Sequence, residues 1–326
     1  MKPALPLADD EILALRPPRN PVLPDRPYAW LVEKEPAGDG RVVDVATLFL
    51  SNRECPYRCL MCDLWKNTLE MSVAPGQIIE QIRWALAQLP AAQHLKLYNA
   101  GSFFDAKAIP PDDYAGIAGL ARLFERLIVE SHPRLIGRRF HEFRALVECG
   151  LEVAMGLETV HPDVLPRLNK GMTLDDFAQA ARVLRSESVG VRAFILVRPP
   201  FLSDAEGQEW ACRSMDFAFD HGASCCSLIP TRGGNGAMEE LERQGHFAPP
   251  SLGSLERAME YGLSLHAGRV LVDLWDIDRV SPEAPNRAQR IARLARMNLS
   301  QLISRDAESA ERSAGPRSAP HTPRRG

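Results

Sequence analysis

From residue 42 to residue 275 the chain alternates two patterns. Short β-branched or apolar runs occupy 42–50, 94–98, 127–130, 151–157, 191–197, 224–229 and 270–275. Between them, apolar residues recur at three- and four-residue spacing over 78–89, 114–124, 177–184, 210–219, 255–265 and 285–302, and 140–147 continues the alternation. The first pattern suits buried strands and the second amphipathic helices. Strands alternating with helices of this length imply βαβ units and a mostly parallel sheet. About six such units predict an α/β fold, a partial (β/α)6 TIM-like barrel with its chemistry where strands end. A doubly wound open sheet shares the periodicity, so the pattern alone leaves both open.

The flanks read differently. The first 27 residues hold seven prolines and, apart from a short helix predicted over 8–15, no periodicity. The expected organisation is a proline-rich arm over 1–41, a core barrel over 42–280, a helix over 281–303 and a disordered tail over 304–326, which is rich in Ser, Ala, Pro and Arg. With 45% hydrophobic and 25% charged residues, the 326-residue chain can bury a core. A formal net charge of -3 disfavours gripping nucleic acid through bulk charge, although a local basic patch remains open. No apolar run approaches the roughly 18 residues of a membrane span. No apolar stretch follows the start, so the expectation is a cytoplasmic protein.

Three of seven cysteines cluster as Cys55-Pro-Tyr-Arg-Cys59-Leu-Met-Cys62, directly after the first predicted strand. In a reducing compartment such spacing reads as a metal site before disulfides. Three thiolates on one loop can hold three irons of a 4Fe–4S cluster and leave the fourth open, as a catalytic metal requires. A structural zinc knuckle or incidental thiols are the alternatives. Zinc would want a fourth Cys or His, and the next histidine, His94, opens a predicted buried strand.

This CxxxCxxC loop after a first strand resembles the radical SAM superfamily. The resemblance implies a 4Fe–4S cluster on Cys55, Cys59 and Cys62, with S-adenosylmethionine (SAM) on the open iron. It also implies a 5′-deoxyadenosyl radical that abstracts hydrogen, and an electron donor such as flavodoxin or ferredoxin. The residue before the third cysteine is often aromatic in that family, whereas here it is Met61. By place after the second strand, Asn99, Ala100, Gly101 and Ser102 correspond to the Gly-Gly-Glu-like stretch that meets the methionyl amino group. Glu158, in Gly156-Leu157-Glu158-Thr159, corresponds to the stretch that reaches the cofactor's ribose and amino acid portion. The run from His161 to Gly171 is similar to the Elongator catalytic subunit and to methylthiotransferases. The residues around the cysteines and 97–105 resemble a bacterial subgroup near the Elongator-type and archaeosine-synthesis radical SAM proteins. Those likenesses suggest a modified tRNA base as substrate. A small molecule or peptide substrate, and a non-catalytic zinc- or RNA-binding module, are the rival readings.

Other residues stand outside that pattern. Arg198 and Arg232 end the fifth and follow the sixth predicted strands, where a guanidinium fork suits a carboxylate or phosphate of cofactor or substrate. Cys225 and Cys226 are adjacent on one strand and point to opposite faces. Cys149 and Cys212 are assigned to helix-like segments. Asn169-Lys170-Gly171 is read as a turn. Arg287, Arg290, Arg293 and Arg296 form a basic stripe on the last helix, read as a solvated face or as a contact for RNA phosphates.

Overall fold

A computed structural model describes residues 7–304; residues 1–6 and the tail from 305 onward, including nearly all of the expected disordered segment, lie outside the described residues. Eight strands form one sheet in sequence order: β1 (Ala29–Pro36), β2 (Val42–Leu50), β3 (His94–Asn99), β4 (Arg126–Glu130), β5 (Gly150–Glu158), β6 (Gly190–Val197), β7 (Cys225–Pro230) and β8 (Arg269–Val272). β2 to β8 run parallel, and β1 pairs antiparallel with β2. The helices are α1 (Asp9–Ala14), α2 (Gln77–Leu86), α3 (Tyr114–Ala121), α4 (Arg138–Arg144), α5 (Val164–Arg167), α6 (Leu174–Ser186), α7 (Asp204–Asp220), α8 (Ala237–Arg243), α9 (Leu252–Ser264) and α10 (Arg287–Ser300). The α/β expectation holds as a curled half-barrel of the TIM-like kind. Each parallel strand falls where the apolar runs predict it.

Alternation along the strands divides the core in two. Leu48, Leu97, Val129, Val153, Ile195 and Leu228 join one apolar cluster with the helices outside the sheet. Their neighbours Thr47, Lys96, Glu152 and Arg192 face the concave side, which explains buried charges within strands. At its floor Arg192 donates to Glu152 at 2.7 Å and to Glu35 at 2.9 Å, while Arg269 donates to the other Glu152 oxygen at 2.6 Å. Lys96 joins Glu33 at 2.8 Å and also pairs with Glu35. Burial alone would raise the Glu35 carboxyl, but Arg192 and Lys96 outweigh it and hold it well below the ordinary range.

One feature corrects the expected arm, and another adds a role to the expected last helix. Residues 29–36 are a strand, not part of a loose arm; Glu33, Lys34 and Glu35 hide it in the sequence, yet Glu33 and Glu35 serve the barrel floor. Asn298 on α10 and Gln301, which caps its C-terminus, exchange hydrogen bonds with the backbone of Val272 and Val270 at 2.8–2.9 Å. They satisfy the open edge of β8 much as a further strand would.

The arginine stripe on α10 is also turned differently from either expectation. Arg290 pairs with Glu256 at 2.5 Å and Arg293 with Glu260 at 2.6 Å, both on α9, and Arg287 pairs with Asp278. It is largely an interhelix seam. Among the described residues no helix is long and apolar enough to cross a membrane.

Candidate metal and cofactor centre

The chain leaves β2 at Leu50 and enters the cysteine loop at the strand-end mouth of the half-barrel. Short-range bonds from distant segments fix the loop's path. Cys55 N donates to Ala100 O at 3.3 Å, and Leu60 N to Leu168 O at 2.9 Å. Asn169 Nδ2 reaches Arg58 O at 2.9 Å, and Asn235 Nδ2 reaches Leu60 O at 2.8 Å and Cys62 O at 3.1 Å. A loop with this many external anchors is pre-set by the rest of the fold.

The three thiols lie in electrostatic reach of one another. Burial pushes Cys55 and Cys59 up to about 11 and Cys62 up to about 12, with neighbouring thiols adding to the rise. Among the described residues no group of three or more His, Cys, Asp or Glu side chains is placed to hold a metal ion. The donor set therefore fits a cluster by residue type and by loop position, not by converged sulfurs.

Opposite the thiols stands a buried ion pair. Lys170 Nζ lies 2.8 Å from Glu158 Oε1, and both side chains are about nine-tenths buried. Glu158 has φ +65°, and the β5–β6 register shifts at this point, so the strand bends its last carboxylate back over the mouth. Gly156 makes the room: a Cβ there would fall 2.0 Å from Glu158 Oε1 and 2.5 Å from Lys170 Nζ. Burial opposes the Lys170 charge, yet Glu158 and the Cys59 thiol more than restore it. Lys170 in turn lowers all three thiols.

At the end of β3, Asn99 N donates to Glu130 Oε1 at 2.6 Å. Burial raises that carboxyl to about 8, against the pull of the Asn99 bond and of Lys170. The Asn99 side-chain amide and Asn52 Oδ1 are buried without hydrogen-bond partners, and both amides approach the same side of Gly101. Orphaned buried polar atoms are costly, and a cluster of them is a mark of a ligand site.

The expected site residues thus separate. The cysteine loop, Asn99, Ala100, Gly101 and Glu158 share the mouth. Ser102 is engaged elsewhere: its Oγ lies 2.8 Å from Ser131 Oγ, and it accepts from His132 N. Arg232 bonds Asp273 at 2.5 Å and borders a narrow cleft with Met61, Leu196, Ile229 and Thr231. Arg198 is spent on the loop before α9, donating to Pro249 O at 2.7 Å, with Asp204 4.0 Å away. Cys226 packs in the helix-side core, whereas Cys225 lies near Arg192 and Arg269. Cys212 is on α7, but Cys149 directly precedes β5 rather than lying on a helix. Sequence reasoning passed over Asn52, Glu130, His132, Lys170 and Asn235. Lys170, Asn52 and Asn235 stood out only as members of a turn or loop and not for their side chains, because all these roles depend on which strand ends meet.

The proline-rich arm packs onto this mouth. Leu7 and Ile12 join Leu60, Met238 and Phe247 in a small apolar cluster. Arg16 sits 4.5 Å over the Trp65 ring and pairs with Glu54, which also binds Arg19 and Arg58. Beside Cys55 a second cleft of about 330 Å³ opens between Arg19, Arg53, Arg58 and Lys107.

No protein-family model matches the chain. It is 29% identical over 168 residues to the archaeosine synthase subunit beta of Thermococcus kodakarensis, covering 48% of this chain and 51% of that protein. The chain therefore spans about half the length of that relative. In fold it is similar to the archaeal Elp3 of Methanocaldococcus infernus (TM-score 0.48, 15% identity, 69% of this chain and 55% of that one). It is similar also to the radical SAM enzyme coproporphyrinogen III oxidase from Escherichia coli (TM-score 0.43, 15% identity, 74% and 53%). What the chain shares with these proteins is thus a half-barrel with a cysteine triplet at its mouth and, over about half of its length, sequence similarity to archaeosine synthase subunit beta.

Proposed function

We propose that the protein is a cytoplasmic radical SAM enzyme that abstracts hydrogen from a modified tRNA base. The observation that carries the chemistry is the cysteine loop, anchored at the barrel mouth opposite the buried Lys170–Glu158 pair. Cys55, Cys59 and Cys62 would hold three irons of a 4Fe–4S cluster. With SAM bound, such a cluster would supply 5′-deoxyadenosyl radical chemistry, given an electron donor such as flavodoxin or ferredoxin.

The chain's own residues bind and orient. The unpartnered amide of Asn99, with Asn52 and the backbone of Ala100 and Gly101, suits the amino acid portion of SAM. Glu158 offers acceptor oxygens to hydroxyl or ammonium groups, and Lys170 a cation to a carboxylate. Met61, which borders a narrow cleft with Arg232, would stand beside the adenine as a soft filler in place of an aromatic ring. The arm, through Leu7, Ile12 and Arg16, covers the loop and limits access of water. The tRNA assignment is supported by the likeness to archaeosine synthase subunit beta.

Anaerobic reconstitution tests the metal. The protein should take up about four irons with matching sulfide, and Cys→Ala at positions 55, 59 and 62 together should abolish uptake. Stoichiometric zinc without iron would overturn the proposal.

A further inference from the structure

Three segments meet on one imidazole. His132 follows β4, and its ring stacks on Tyr57 of the cysteine loop with centroids 3.8 Å apart and planes 13° apart. Its Nε2 donates to the backbone oxygen of Lys170 at 3.0 Å. Its Nδ1 accepts from Arg134 N at 3.2 Å, and its own N–H donates to Ser102 Oγ beyond β3. These two ring bonds require the neutral imidazole with the proton on Nε2. The surroundings agree: burial, with help from Lys170, lowers His132 to about 4.

We propose that His132 is a positioning residue, locking the cysteine loop and the Lys170 segment into one unit and so fixing where the Lys170 ammonium stands relative to the three thiols. Tyr57 lies between Cys55 and Cys59, so whatever holds its ring holds the loop. Gly171, at φ +68°, brings its backbone against the same ring; a Cβ there would contact Tyr57 at 3.4 Å. Arg134 Nη1 adds a bond to Gly171 O at 3.0 Å. The loop's other ties to this segment, Leu60 to Leu168 O and Asn169 to Arg58 O, depend on the same register. A cation held near a metal cluster favours its reduced, more negative form. The lock stands on geometry alone; its consequence for reduction rests on the function proposed above.

The full-length, metal-free protein tests the lock by hydrogen exchange. His132→Ala should speed exchange across the peptide 55–62 by about tenfold or more, leaving α6 and α9 unchanged. His132→Phe keeps the stack and loses the donor, so it should loosen the Lys170 segment more than the loop. Tyr57→Phe should behave as the parent. After reconstitution, an EPR-monitored titration should place the midpoint potential of His132→Ala below that of the parent, in the direction Lys170→Met moves it. Unchanged loop exchange in both His132 variants overturns the lock. A potential unmoved by His132→Ala but lowered by Lys170→Met overturns the positioning role. If the parent takes up no iron, the proposed function fails while the exchange comparison still decides the lock.

Discussion

Lys170 Nζ and Glu158 Oε1 stand 2.8 Å apart in the volume that a side chain at residue 156 would fill. The pair exists because position 156 is glycine. Gly156→Ala should therefore push the carboxylate and the ammonium off their places. SAM affinity, measured by equilibrium dialysis on reconstituted protein, should fall by about tenfold or more, the worth of one charged hydrogen bond. Unchanged affinity would remove the pair from the cofactor site.

Breaking the same pair from one side leaves a buried charge alone. Lys170→Met should cost about 3–5 kcal/mol of stability, whereas Lys170→Met with Glu158→Gln should recover most of it. Denaturant unfolding of the metal-free variants checks this. Equal losses in the single and double variants would mean that the two side chains do not interact.

Glu130 gives a pH signature. Its carboxyl is raised by burial to about 8 from an ordinary 4.5, so between those values the folded chain holds a proton that the unfolded chain has lost. The resulting stability is complete below about 4.5 and is lost as pH rises through 8. Glu130→Gln should flatten that slope in denaturant titrations from pH 5 to 9. An unaltered slope would assign the dependence to other groups.

On α10, reversing one charge should act on packing. Arg290→Glu should lower the melting temperature, and adding Glu256→Arg should restore much of it, because the two meet at 2.5 Å across the α9–α10 seam. A loss of tRNA binding with no loss of stability would return Arg290 to the RNA-contact role.

Sequence pattern located the parallel strands because each is a short apolar run, and it singled out the cysteine loop because three cysteines within eight residues have few other uses. It missed β1, whose acids answer Arg192 and Lys96 on distant strands. The basic stripe on α10 looked solvent-facing because Glu256 and Glu260, its partners, lie some thirty residues earlier on α9. Lys170 and His132 escaped notice for the same reason. Their work depends on the approach of the 168–171 segment to the cysteine loop, which periodicity cannot register. Arg198 was a sound candidate by residue type and strand end, yet a backbone carbonyl at Pro249 takes its guanidinium.

The thiols of the central site start protonated, raised by burial to about 11 or 12, and metal ligation needs thiolates. Iron uptake should therefore rise with pH from 6 to 9, because each of the three cysteines gives up its proton on ligating iron. Uptake independent of pH would point away from these cysteines.

The most direct measurement is product release from the reconstituted protein under strict anaerobiosis, with a chemical reductant and SAM as the only additions. 5′-Deoxyadenosine and methionine should appear slowly in equal amounts, and their formation should vanish when Cys55, Cys59 and Cys62 are replaced by Ala. An intact four-iron cluster that yields no 5′-deoxyadenosine would contradict the assignment of this site to radical SAM chemistry.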